Sequence, residues 1–274
     1  MPRDRQGIEA AFLSSIAHDG VLPEALAEAR RLLSKLLARL PEPVLRNMFA
    51  DRITLVLVPG DKRILDMPQA AYVVAQSKEF PTTNDGRRWE TVDNLSNVPM
   101  PCGGFAWFVN ERSVLGTAMP ANRKGFTVVH EFSHMVEKHG FSMAQTQTLT
   151  RIYAGYYAVS NIDREIGPDL YYPFPEIYAV ERSEFFPQMT NVWLDAYQIA
   201  PGGGDQSHRP RGPAWFDYVP AWLPPGPGFV SHDRYLKEDF AGNLDDILGK
   251  SRKHEPLGDF LRSIWGGRAS ILSD

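Results

Sequence analysis

Within the run "TVVHEFSHMVEKHG" at 127–140, His130, Glu131 and His134 have the types and spacing to do chemistry. On an α-helix, positions four apart differ by about 40° in direction, so the two imidazoles leave one face one turn apart and can share a metal ion. Glu131 falls on the adjoining face, where it can reach a water on that ion without ligating it. Val128, Val129, Phe132, Met135 and Val136 fill most of the remaining circumference, which predicts a largely buried helix. Burying two histidines and a carboxylate in such a helix is costly unless they are paired, and Zn2+ supplies the pairing. The expected chemistry is hydrolysis by a zinc-activated water, with Glu131 as general base and later proton donor to the leaving group.

A catalytic zinc keeps one position open for water and needs a third protein ligand. An extension of the motif with glycine at 137 and histidine at 140 is excluded, because those positions are Glu137 and Gly140. His139 points nearly opposite His130 and is expected to interact with the helix C-terminus. The other scheme takes a glutamate from a later helix, and "YAVERSEFFPQMTNVWLDAYQ" at 178–198 offers Glu181 and Glu184. Glu184, followed by Phe185 and Phe186, is preferred; Glu181, Asp163, Glu165 and Glu176 are the alternatives.

"VVHEFSHMVE" together with "SEFF" resembles the zinc metallopeptidases of the anthrax lethal factor type, which include the clostridial Pro-Pro endopeptidases. The earlier "LLARLPEPVLRNMFADRITLVLVPG" is similar to the opening of those domains, and the likeness spans roughly residues 30 to 198. The resemblance implies His130, His134 and Glu184 as zinc ligands and Glu131 as base. It also implies a catalytic tyrosine ahead of the third ligand. Tyr178, six residues before Glu184, is the expected oxyanion donor, with Tyr171 and Tyr172 as alternatives. Pro187-Gln188-Met189 stands where the family runs Ala-Glu-Ala, which predicts a helix that either kinks or starts near Glu184.

The function implied is a zinc endopeptidase acting on a protein or peptide. The competing readings are a catalytically inactive zincin-like binding module and a zinc hydrolase of a non-peptide substrate. By analogy with toxins the expected location is secreted or translocated into a host cell, with the cytoplasm as alternative.

Several elements must position these residues. Ala25, Leu26, Ala29, Leu32, Leu33, Leu36, Leu37 and Leu40 recur at helical spacing and predict one or two packing helices interrupted near Pro41 and Pro43. "ITLVLVP" at 53–59 reads as a buried strand, and 60–102 as a loop-rich excursion. "GGFAWFVNERSVLGTAM" suggests a hairpin around Asn110-Glu111-Arg112, its second run, "RSVLGTAM", being the expected substrate-facing edge. The motif helix is expected to begin between Asn122 and Thr127 and to end at Gly140 as its C′ residue. "EPLGDFLRSIWGG" predicts a terminal helix with Pro256 in its first turn.

The resulting expectation is an α+β, zincin-like metallopeptidase domain: a small mixed sheet with an edge strand packed on the His-Glu-x-x-His helix, and a following helix carrying the third ligand. Its divisions are an N-terminal helical segment at 1–50, the catalytic domain at 51–200, a Pro/Gly-rich segment at 201–228 and a C-terminal helical extension at 229–274. The aromatics Trp215, Phe216, Tyr218 and Trp222 predict that the third of these packs onto the body.

With 43% hydrophobic and 23% charged residues, the 274-residue chain has the composition of a globular protein with a substantial core. A formal net charge of -4 offers no excess positive charge for a phosphate backbone, which argues against nucleic acid as a partner. Cys102 is the single cysteine, so no intrachain disulfide forms. The early apolar stretch is broken by Glu9, Ser14 and Ser15 and does not read as a Sec-type signal peptide. No window reaches about eighteen uninterrupted apolar residues, the length a membrane span would need. His208, His232 and His254 are expected to be solvated.

Overall fold

The computed structural model describes residues 4–83, 88–117, 125–153, 182–194, 196, 257–267 and 270–271. Helices α1 (Arg5–Ser14), α2 (Pro23–Arg39) and α3 (Glu42–Ala50) open the chain. In α2, Ala25, Ala29, Leu32, Leu33, Leu36 and Leu37 are all buried, so the leucine stripe is core. Pro41 is the N-cap of α3 and Pro43 lies in its first turn, where the missing N–H costs nothing because those donors have no intrahelical acceptor. Arg5 closes the C-terminal end of α2 by donating to the carbonyls of Leu37 and Leu40 at 2.7 and 2.9 Å.

The β-branched run becomes strand β1 (Ile53–Val58). Beyond it lie α4 (Ala71–Glu79) and strand β2 (Asn94–Pro99), so the region expected to be loop-rich holds a helix and a strand. The strand was hidden by its irregularity. Its pairing breaks between Leu95 and Val98, and Asn97 there has φ of 59°, so no strict alternation marks it.

Strand β3 (Phe105–Asn110) lies between the other two, parallel to β1 and antiparallel to β2, giving a mixed sheet in the order β1-β3-β2. The fold is α+β, with a small sheet among helices. Alternation divides the sheet residues between two cores. Leu55, Leu57, Trp107 and Val109 face the large helical core, whereas Val56, Val58, Ala106 and Phe108 join a smaller cluster with Ile64, Val73 and Trp89. The far side of β1 is partly covered by Ala17, whose N–H donates to Leu55 and whose carbonyl accepts from Leu57. Among the described residues, β2 is therefore the open edge.

The expected hairpin does not form. After β3 the chain turns into the short helix α5 (Glu111–Leu115), so the described part of "RSVLGTAM", Arg112 to Thr117, is a helix and its end and not an edge strand. Asn110 caps this helix by accepting from the Arg112 N–H at 2.9 Å, and Gly116 ends it in the left-handed conformation at φ 72°. Glu111 explains the change of direction. Its buried carboxylate accepts the N–H of Leu22 at 2.8 Å and of Gly60 at 2.7 Å, joining the start of α2 to the end of β1.

The motif helix α6 (Phe126–Met135) continues as a π-helical turn, Val136–Gly140. A helix follows at 143–153 (α7), then α8 (Arg182–Trp193) and α9 (Leu257–Trp265). Phe132, Phe185, Phe186, Leu261 and Trp265 share the large core with the α2 leucines, and the Trp265 indole donates to Thr190 at 3.0 Å. No helix among the described residues is long and apolar enough to cross a membrane.

Candidate metal centre

Two helices build the site. Helix α6 begins at Phe126, inside the expected span of Asn122 to Thr127, with Gly125 at the cap in the left-handed conformation at φ of 88°; Thr127 is buried inside the helix and Asn122 lies outside the described residues. Gly140 is not a left-handed C′ residue. It ends the π turn, and a Cβ there would stand 2.6 Å from Val44 Cγ1, so the glycine permits close packing on α3. His139 departs from its expected role at the helix terminus as well. Its Nδ1 meets Asp51 Oδ2 and its Nε2 meets Asn97 Oδ1, both at 2.8 Å, while its ring packs on Phe105. Together with the Asn97 N–H, which donates to Met135 Sδ at 3.2 Å, this ties the bulge of β2 to the motif helix.

Helix α8 presents Glu184 from its first turn. Pro187 follows inside the helix, where it has no N–H for the Ser183 carbonyl. The helix nevertheless continues to Trp193, because Phe185, Phe186 and Met189 are held in the core.

His130, His134 and Glu184 converge, each offering one ligand atom, with all these atoms within 4.8 Å of one another. His130 Nε2 lies 3.2 Å from His134 Nε2 and 3.1 Å from Glu184 Oε2, and His134 Nε2 lies 3.6 Å from Glu184 Oε1. Ligands at zinc distances in a tetrahedral arrangement stand about 3.3–3.5 Å apart; the two imidazoles, and each imidazole with its nearer Glu184 oxygen, come within a few tenths of an ångström of that spacing, the two histidines meeting different oxygens of the carboxylate. Two neutral imidazoles cannot both turn acceptor nitrogens to one point without repulsion, and a divalent cation removes that conflict. The residues form a possible metal site, and they fit the group.

The side chains are 12% exposed for each histidine and 23% for Glu184. Burial alone would raise the Glu184 carboxyl. Hydrogen bonds and charge from His130 and His134 outweigh it and hold the group well below the usual carboxylate range. Glu137, next along the helix, behaves oppositely: burial raises it, with Arg182 and His134 pulling down. Its Oε1 accepts from Arg182 Nη1 at 2.7 Å.

Glu131 is half-buried on α6 beside the two histidines. Tyr178, Tyr171, Tyr172, Glu181, Asp163, Glu165, Glu176, Pro256, His208, His232, His254 and the segment 201–228 all lie outside the described residues. Sequence reading missed the β2 edge and the contacts of Glu137 and Arg182. Glu137 did carry a signal, being seven residues past His130 and so on the same helical face.

No family model and no curated protein matches the chain. Among solved structures, the Pro-Pro endopeptidase PPEP-2 from Paenibacillus alvei is similar over 69% of this chain and 89% of its own, with 16% identity and a TM-score of 0.42.

Proposed function

We propose that this protein is a zinc-dependent endopeptidase, with His130, His134 and Glu184 holding Zn2+ and Glu131 acting as general base. The observation that carries the reading is the convergence of two imidazoles from one helix and a carboxylate from another, with one ligand atom of each within 4.8 Å of the others. When bound, the ion supplies Lewis acidity, bringing the pKa of a water towards about 7 and polarising a carbonyl. Glu131 would take the proton from that water and pass it to the amine that leaves. Tyr178 is assigned as the donor to the developing oxyanion.

The open edge of β2 supports a peptide substrate. An extended chain laid beside Asn94–Pro99 can pair main chain with main chain, and this strand packs on the metal helix through Asn97 and Met135. This moves the substrate-binding edge from "RSVLGTAM" to β2.

Metal analysis combined with a peptide-library digest tests the proposal. The expected result is one zinc per chain and cleavage by the wild type, with zinc retained and cleavage lost in Glu131→Gln. Cleavage that persists at the wild-type rate in Glu131→Gln would remove the base, and a chain that takes up no zinc would end the assignment.

A further inference from the structure

Helix α8 has a structural problem at the residue that matters most. Glu184 lies in its first turn, where N–H groups lack intrahelical partners, and Pro187 deprives the Ser183 carbonyl of a donor. Such a segment has little rigidity of its own. A ligand must nevertheless be held within about 0.5 Å of its productive geometry if the site is to be preorganised.

Phe185 and Phe186, 1% and 0% exposed, anchor the apolar side of this turn in the core. On the polar side, among the described residues, stands a cross-link. Arg182, two residues before Glu184, donates Nη1 to Glu137 Oε1 at 2.7 Å, and its guanidinium lies 6.0 Å from the Tyr153 ring centroid. The two side chains are 25% and 10% exposed, so the pair is screened from water far more than an ordinary surface ion pair. Glu137 belongs to the π turn that directly continues the metal helix, three residues after His134. The pair therefore joins the element bearing the histidines to the element bearing the carboxylate, close to where each presents its ligand.

We infer that the Glu137–Arg182 ion pair is a positioning latch for Glu184 and sets how tightly the site holds a divalent cation. The inference rests on the metal reading above. Neither residue touches the ion: Glu137 fixes Arg182, Arg182 fixes the first turn of α8, and that turn aims Glu184. Burying half-satisfied charges has a cost, since Glu137 Oε2 and Arg182 Nε are both buried without a hydrogen-bond partner. A latch that orders a ligand gives a reason for bearing it.

Zinc affinity of the full chain, measured by competition with a chelating dye, tests the latch. Glu137→Gln should weaken zinc binding about 10–100-fold, the range for residues that orient metal ligands, with the far-UV circular dichroism unchanged. Arg182→Lys, which keeps the charge, should stay within a few-fold of wild type, whereas Arg182→Met should match Glu137→Gln. This second pair keeps the test decisive if Glu137→Gln fails to fold. On a Glu184→Ala background, Glu137→Gln should add no further loss, because the residue through which it acts is gone. Wild-type affinity in folded Glu137→Gln and Arg182→Met, or a full additional loss on the Glu184→Ala background, overturns the latch while leaving the metal site standing. Absence of zinc binding in the wild type overturns the metal reading and the latch together.

Discussion

The junction at Glu111 and the cluster at Glu184 both bury a carboxylate between elements distant in sequence, but they satisfy it differently. Glu111 accepts two backbone N–H groups, from Leu22 and Gly60, which the fold supplies permanently. Glu184 faces two imidazoles, whose ability to donate depends on protonation and which can equally lend lone pairs to a metal. A carboxylate held by main-chain donors holds a fold together; one held by titratable side chains is poised to hold something else.

The sharpest way to break this contrast is to remove each acid in turn. Glu184→Ala should weaken zinc binding further than any other single substitution, down to the residual grip of two imidazoles, and in chelator should lower the thermal midpoint more near neutrality than in acid, measured by chelating-dye competition and differential scanning calorimetry. Within the cluster, Glu131→Gln should lower kcat about 10²–10⁴-fold with zinc retained, the usual worth of a general base. At the other junction, Glu111→Ala should reduce unfolding free energy by about 1–3 kcal/mol by taking the acceptor from two part-buried backbone donors, with zinc affinity unmoved, read by urea titration. Loss of zinc in Glu111→Ala would erase the distinction.

Acidity offers a finer probe. Because the folded Glu184 carboxyl lies below its ordinary value of 4.5, it contributes stability that is present above that value. That contribution is lost as pH falls through the depressed folded value. In urea unfolding of the metal-free protein, the stability difference between wild type and Glu184→Gln should therefore be largest near neutrality and shrink in acid. A difference that grows as pH falls would reverse the sign assigned to the cluster.

The members of the candidate cluster were legible in the sequence because their geometry is local. His130 and His134 need only helical spacing, and Glu184 stood out as a charge beside Phe185 and Phe186. What the sequence concealed depends on distant partners. Val114 and Leu115 resemble an extended run, yet Asn110 and Gly116 are respectively a cap and a left-handed stop; these local signals were outweighed by the apolar pattern around them. The β2 edge has a bulge at Asn97 that spoils its alternation, so 94–99 read as loop. Nothing local marks the π turn after Met135, and the close approach of Gly140 to Val44 is a contact across about a third of the chain's length.

An edge free to receive a guest strand is also free to receive a sister molecule, and continuous edges stack into aggregates. The irregular backbone at Asn97, pinned from below by Met135 and from the side by His139, interrupts that invitation midway. A visiting segment can register with a few residues at a time, whereas a long flat partner finds its ladder broken. Straightening the bulge would thus be expected to trade selectivity for stickiness.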